Sequence, residues 1–178
     1  RHLRVVDVSY FFFQAEDGIR DQYGLVGSEM CKETVLTLRN DEAGYVTSGS
    51  DGLHFDEPIP WCFDDGQELG NYNTQQHWVV RNNALFLVYT RRGLNNDHVF
   101  RHRAPLVMAQ VDPRRLCVLR DTERVLVPER GARLGNFGVV DVNESETWVT
   151  VAEWMQPAGC EKYGSDNSVY AARIRWND

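Results

Sequence analysis

An all-β fold is predicted by three observations. Helical periodicity is nearly absent from the 178-residue sequence. Short β-rich runs separated by polar turns recur along it instead. Two of the recurring units also keep one spacing, with Phe86 to Trp148 and Val107 to Val169 both 62 positions apart.

Taken in chain order, "TVLTL", "GYVTS" and "HFDEPIPWCF" read as the last three strands of a first unit. "HWVVRNNALFLVYTRR" (His77 to Arg92) reads as strand, turn at Arg81-Asn82-Asn83, strand. A third strand follows in "PLVMAQVDP" (Pro105 to Pro113), and "CVLRDTERVLV" (Cys117 to Val127) supplies a fourth. "GVVDVNESETWVTVAEWM" (Gly138 to Met155) repeats the hairpin with its turn at Asn143-Glu144-Ser145, and "SVYAARIRW" (Ser168 to Trp176) is its third strand. Units of four antiparallel strands in series are the pattern of β-propeller blades. The spacing exceeds the ~40–45 residues of compact propeller repeats, and the excess lies in loops. A β-sandwich also uses short strands but does not account for the repeated spacing. About two and a half blades are present, against the roughly 4–8 of closed propellers. Open blade faces, and self-association through them, are therefore expected.

Composition narrows the function classes. A formal net charge of −7 argues against general nucleic-acid or membrane-surface binding, both of which favour basic surfaces. No apolar run approaches the ~20 residues that span a bilayer. Cys31, Cys62, Cys117 and Cys160 are widely spaced with no C-x-x-C pair, which points to buried free thiols rather than a zinc site or a disulfide scaffold. No metal or cofactor is expected.

Blade connectivity groups the long loops on one face: "RNDEAG", "DDGQELGNYNTQQ", "RRGLNNDHVFRHRAP", "PERGARLGN" and "EWMQPAGCEKYGSDN". The turns "RNNA", "NESE" and "VDPRR" fall on the other. The loop face collects Tyr72, His77, Arg91, Arg92, His98, Arg101, His102, Arg103, Glu129, Arg130, Arg133, Glu153, Trp154, Tyr163 and Asp166. Guanidinium forks bind carboxylate, sulfate or phosphate bidentately, and a recessed basic patch focuses anions. Interleaved Tyr and Trp offer flat apolar surfaces to sugar rings. An anionic carbohydrate (a sialic acid, a uronate or a sulfated glycan) is the expected ligand. A solvated, internally salt-bridged loop is the alternative for "RRGLNNDHVFRHRAP". His98 and His102 are candidate general bases, since imidazole titrates near neutral pH. His54 falls in an opposite-face turn and reads as structural.

"SGSDGLHF" (Ser48 to Phe55) resembles the Asp-box of sialidase-like propellers, S-x-D-x-G-x-T-W. Ser48, Gly52 and Phe55 match, Ser50 holds the Asp position with Asp51 one place later, and His54 replaces Thr. Between Leu36 and Trp176, "DDGQELGNYNTQQHW", "LFLVYTRRG", "NNDHVFRHRAPL", "VLVPERGARLGNFGV" and "EWMQPAGCEKYGSDNS" are similar to bacterial sialidase-like sequences. The resemblance implies a six-bladed propeller that hydrolyses terminal sugars of anionic glycans, represented here by its C-terminal part. That family holds carboxylate with an arginine triad and uses a Tyr paired with Glu as nucleophile. Carried over, Arg92, Arg130 or Arg133 would bind carboxylate, Tyr163 would be the nucleophile and Glu153 its partner, with Tyr72 the competing tyrosine. The first triad arginine and the acid Asp belong to N-terminal blades, so this chain alone is expected to be inactive. Two alternatives stand: a polysaccharide lyase or atypical glycosidase using His98 or His102, and a non-catalytic glycan-binding propeller.

"FFFQAEDGIRD" (Phe11 to Asp21) fits neither period. "QAEDGIRD" back-translates to CAAGCAGAAGACGGCATACGAGAT, a widely used short-read sequencing adapter. Residues 1–21 are therefore read as an artefactual leader and residues 22–178 as the propeller domain.

Overall fold

The computed structural model describes residues 2–10, 34–81 and 84–176. Among these residues the architecture is all-β, with three sheets, none of them closed. The strands are β1 (Leu3–Tyr10), β2 (Thr34–Arg39), β3 (Gly44–Gly49), β4 (Ile59–Pro60), β5 (His77–Arg81), β6 (Ala84–Tyr89), β7 (Leu106–Asp112), β8 (Cys117–Val118), β9 (Arg124–Val127), β10 (Arg133–Asn143), β11 (Glu146–Trp154) and β12 (Val169–Trp176). The sheet orders are β2-β3-β4, then β5-β6-β7-β8 with β9 also on β7, then β10-β11-β12-β1. All pairings are antiparallel except β1 on β12.

Burial explains the two sequence textures. The middle sheet is covered on both sides, so β6 (ALFLVY) and β7 (LVMAQVD) are nearly continuous apolar runs. Phe86, Val88, Leu106 and Met108 join Val149, Val151, Tyr170, Ala172, Ile174 and Trp176 in one core. Leu87, Tyr89, Val107 and Ala109 point the other way, into a second core with Val46, Trp61, Phe63 and Leu69. The third sheet buries one face only, and β12 (VYAARIRW) alternates accordingly. Its outer face exposes Val5 and Val140, with Trp148 partly covered between Val140 and Arg173.

Three boundaries differ from the sequence reading. Cys117 to Val127 is not one strand: a 3₁₀ turn at Arg120–Thr122 splits it into β8 and β9. The Thr122 hydroxyl, 2.9 Å from the Gln110 N–H, accepts a bond that a ladder carbonyl would otherwise take. Strand β10 begins at Arg133 rather than Gly138, because Arg133 and Leu134 pair with Trp154 and Glu153 ahead of a register shift before Phe137. "HFDEPIPWCF" is not one strand but the two-residue β4 with isolated bridges from Phe55 to Gly49, Cys62 to Glu68 and Phe63 to Val118, its prolines lacking the N–H a ladder needs.

Leu3–Tyr10, set aside with the leader in the sequence reading, is the edge strand β1 on β12. Val6 and Val8 pack on the core. Arg4 donates to Asp166 at 2.7 Å and to Ser168 at 2.9 Å, and Asp7 lies 3.6 Å from Arg173 and 3.4 Å from Arg175. Phe11 to Asp21, the turn at Asn82-Asn83 and Cys31 lie outside the described residues.

The Asp-box-like segment forms the turn between β3 and β4. Asp51 Oδ1 accepts the N–H groups of Leu53 at 2.8 Å and His54 at 2.7 Å, and Oδ2 is 2.6 Å from His54 Nδ1. Gly52 holds φ +74°, a conformation that glycine adopts without steric cost. Asp51 thus performs the turn-closing work, one place later than the box pattern puts its aspartate.

Candidate functional site

The long loops gather at one end of the sheets and are cross-linked by backbone, with one exception. Asp64 and Asp65, expected on that face, lie instead beside the "VDPRR" turn, where Arg115 donates to the Asp64 carbonyl at 2.8 Å and Arg120 to Asp65 at 2.8 Å. Elsewhere the cross-links are regular. Gly44 N–H donates to Asn71 at 2.7 Å, Asn73 N–H to Asn40 at 2.8 Å, Arg92 N–H to Gly70 at 3.0 Å, and Leu134 N–H to Arg103 at 3.0 Å. These bonds hold together segments far apart in the chain. The predicted site residues divide among three clusters there, with two exceptions.

The first cluster is built of arginines. Arg39 Nη1 and Arg103 Nη2 both donate to the Asn73 carbonyl, at 3.1 Å and 2.8 Å, and Arg101 Nη1 donates to Asn73 Oδ1 at 2.9 Å. Asn73 adopts φ +50° to present both oxygens. Arg133, only 8% exposed, has its guanidinium 3.8 Å from the Trp154 ring and 5.2 Å from the Phe100 ring. Burial lowers the Arg103 pKa, and the nearby charges of Arg133, Arg101 and Arg39 lower it further. Burial and then Arg101 do the same at Arg133. The Nε atoms of Arg103 and Arg133 are buried without a partner. Among the described residues no ion pair involves Arg39, Arg92, Arg101, Arg103 or Arg133. One carboxylate is at the hub, Asp41, which accepts from the Asn73 side-chain amide and pairs with none of these arginines. The guanidinium charges are otherwise uncompensated among the described residues and favour an anion from solution.

Tyr72 and His102 border this cluster. The Tyr72 hydroxyl hydrogen-bonds His102 Nδ1 at 2.6 Å, and Arg92 lies over the Tyr72 ring at 3.8 Å. His102 Nε2 faces Asp97 Oδ1 at 3.4 Å. A Tyr72 hydroxyl donating to Nδ1 leaves the proton of a neutral His102 on Nε2, on the side of the Asp97 carboxylate.

In the second cluster His98 Nε2 is 2.8 Å from Glu129 Oε1, which also accepts the Gly131 N–H. The His98 ring packs on Tyr163 with centroids 4.4 Å apart. Gly131, at φ +92°, leaves no room for a Cβ against Tyr163 and the Cys160 carbonyl.

The third cluster surrounds Glu153, which is 4% exposed. Its Oε2 accepts the Asp166 and Ser168 N–H groups, each at 2.9 Å, and its Oε1 accepts the Tyr170 hydroxyl at 3.0 Å. Arg130 donates to the same hydroxyl at 2.9 Å and lies 3.3 Å from Asp166. Burial raises the Tyr170 pKa, while hydrogen bonds from Ser168 and Arg4 hold the Asp166 carboxyl well below the usual range. Glu153 thus pairs with Tyr170 and not with Tyr163. Arg130 is neutralised here and stands apart from the arginine cluster.

Two predicted residues fall outside all three. Arg91 forms a two-pronged pair with Glu123 at 2.8 Å and 2.7 Å, both side chains largely buried. His77 packs on Phe137 at 4.9 Å, and burial lowers its pKa. Sequence reasoning passed over Arg39, Asn73, Asp97 and Tyr170. Arg39 and Asn73 belong to quoted face loops and were findable there. Tyr170 lies within a strand and carried no signal.

Among the described residues no group of three His, Cys, Asp or Glu side chains is arranged to hold a metal, and no helix is long and apolar enough to cross a membrane. The chain matches no family model, no curated protein and no solved structure. Geometry and charge are therefore the ground for a functional reading.

Proposed function

We propose that this chain is part of a sialidase-like β-propeller protein and that its arginine face binds the acidic sugar of an anionic glycan. One observation carries the binding reading: Arg39, Arg101, Arg103 and Arg133 converge around Asn73 and Phe100 without a carboxylate partner among the described residues. A sugar carboxylate or sulfate supplies the missing charge and accepts from the open guanidinium edges. Titration calorimetry with a sialic acid methyl glycoside and with glucuronate tests it. Saturable binding that weakens with salt and with Arg101→Ala is expected; no heat from either sugar overturns it.

The propeller part rests on the stacking of three sheets, the middle one buried on both sides, and on the 62-residue spacing between β6 and β11 and between β7 and β12. The exposed outer face of the third sheet is where the next blade, or a second copy of the chain, would pack.

The chemistry favoured at the arginine face is proton transfer rather than Tyr–Glu nucleophilic attack. Glu153 is committed to Tyr170, which is 2% exposed, whereas the Tyr72–His102 pair stands beside the arginines. Neutralising a uronate carboxylate acidifies the proton beside it. A Tyr72 oxygen relieved of its own proton by His102 removes that proton, the C4–O4 bond breaks and a C4–C5 double bond forms. The departing oxygen takes the proton that Tyr72 has gained, after which His102 returns its proton to Tyr72. This is the histidine-based lyase alternative. Ultraviolet absorbance of the new conjugated double bond, lost in Tyr72→Phe and His102→Ala, is the expected signal with a polysaccharide that contains uronate residues. Release of sugar from a synthetic sialoside by the chain alone would instead favour hydrolysis.

A further inference from the structure

Beside the arginine cluster is a second concavity with a different chemistry. It is an open cleft of about 530 Å³ at the upper end of β10 and β11, within the roughly 300–1,000 Å³ of small-molecule sites. The register shift between Leu134 and Phe137 takes Gly135 and Asn136 out of the ladder and opens the cleft. A Cβ at Gly135 would meet the Ala152 carbonyl at 3.4 Å, so small residues form the floor.

Trp154, 53% exposed, forms a wall. Asn136, Gln156 and Asn167 supply the polar groups, and none of their side-chain amides is hydrogen-bonded among the described residues. Asn167 is held at φ +60°, and its N–H donates to Met155 Sδ at 3.2 Å. The single charged lining residue, Glu153, has both carboxylate oxygens engaged inside the protein. Each amide both donates and accepts, as sugar hydroxyls do, and an exposed indole offers a flat apolar surface to ring C–H groups. The cleft therefore suits an uncharged, hydroxyl-rich ring.

Trp154 also ties the cleft to the anion site. The Arg133 guanidinium lies 3.8 Å from its ring, yet Arg133 does not line the cleft. One indole is shared by two sites of opposite character.

We propose that the Trp154 cleft is a subsite for a neutral pyranose, so that the ligand is an oligosaccharide whose acidic residue sits at the arginine cluster and whose uncharged neighbour stacks on Trp154. This rests on the anionic-glycan reading above and adds a length and a composition to it. The ligand class is an acidic sugar glycosidically linked to a neutral hexose, as distinct from a homopolymer of acidic residues.

Two matched pairs of probes test it: sialic acid methyl glycoside against 3′-sialyllactose, and glucuronate against a glucuronosyl–hexosamine oligosaccharide. Dissociation constants are measured by calorimetry with Trp fluorescence as the second readout. In the wild type, at least one oligosaccharide should bind about tenfold tighter than its monosaccharide, equivalent to roughly 1.4 kcal/mol. Trp154→Ala should remove that advantage and Trp154→Phe should keep most of it. Because Trp154 also supports Arg133, the decisive variant is Asn136→Ala combined with Gln156→Ala, which keeps the Trp154 ring against Arg133 and the Gln156 carbonyl that accepts the Arg133 N–H at 3.0 Å. It should weaken oligosaccharide binding several-fold while monosaccharide binding stays unchanged. Equal affinity for oligosaccharide and monosaccharide in the wild type overturns the subsite and leaves the arginine site standing, as does an unaltered ratio in the double variant. Absence of binding by every probe overturns both.

Discussion

Replacing Glu153 with leucine removes the acceptor on which three donors converge. The Asp166 and Ser168 N–H groups at 2.9 Å and the Tyr170 hydroxyl at 3.0 Å lose their partner, while Arg130 keeps Asp166 at 3.3 Å. A buried donor left without an acceptor costs ~1–3 kcal/mol. Asp166 is at the surface and its N–H recovers water, whereas Ser168 and Tyr170 are buried. The expected loss is therefore about 4 kcal/mol, a large share of the ~5–15 kcal/mol that holds an ordinary domain together. Glu153→Gln keeps one acceptor oxygen and should lose about half as much. Urea unfolding followed by fluorescence reads both losses as midpoint shifts at constant slope. A Glu153→Leu protein within ~1 kcal/mol of wild type would refute the reasoning. It would free Glu153 for the role of partner to a nucleophile, in which case Glu153→Gln would abolish turnover and leave stability alone.

The other predictions follow from single features. Burial holds the folded His77 pKa below its ordinary value, so as pH falls through the unfolded value of ~6.5 the unfolded chain takes up a proton that the folded chain refuses. Stability should drop over that range, and His77→Gln should flatten the dependence in chemical denaturation at about pH 7.5 and about pH 5.5; its contacts with Gln75 and Phe137 are with uncharged groups. Sulfate or a uronate should stabilise the fold more than chloride at equal ionic strength, by ~2.7 kcal/mol at a hundredfold excess over Kd, read as a higher melting temperature, and Arg103→Ala should reduce the effect. Phe86, 1% exposed and 5.2 Å from Trp176, joins the middle and third sheets, so Phe86→Ala should cost ~3–5 kcal/mol in urea unfolding. Burial raises the Cys117 thiol pKa, and a thiol reagent at neutral pH should label Cys62 well before Cys117.

The all-β class, the strands of the hairpins and the split between a loop-rich end and a tight-turn end were legible from residue order. β-Branched and aromatic runs, polar turn residues and a constant spacing are local signals, and strands follow them because pleated backbone accommodates those side chains. The loops that gather the arginines followed from connectivity alone. Which charges stay free did not. Arg91, Arg130 and Arg133 look alike in sequence, yet Glu123 takes the first, Glu153 and Asp166 take the second, and the third lies unpaired between two aromatic rings. An acid's partner is set by the meeting of segments distant in the chain, and no local pattern encodes it. For the same reason Glu153 found Tyr170 within its own sheet rather than the more conspicuous Tyr163. The break between β8 and β9 likewise turns on one Thr122 hydroxyl reaching Gln110. Sequence determined where the strands and the chemistry-bearing loops lie; tertiary structure decided which charges cancel, because cancellation depends on distances of a few ångströms between residues that the chain keeps far apart.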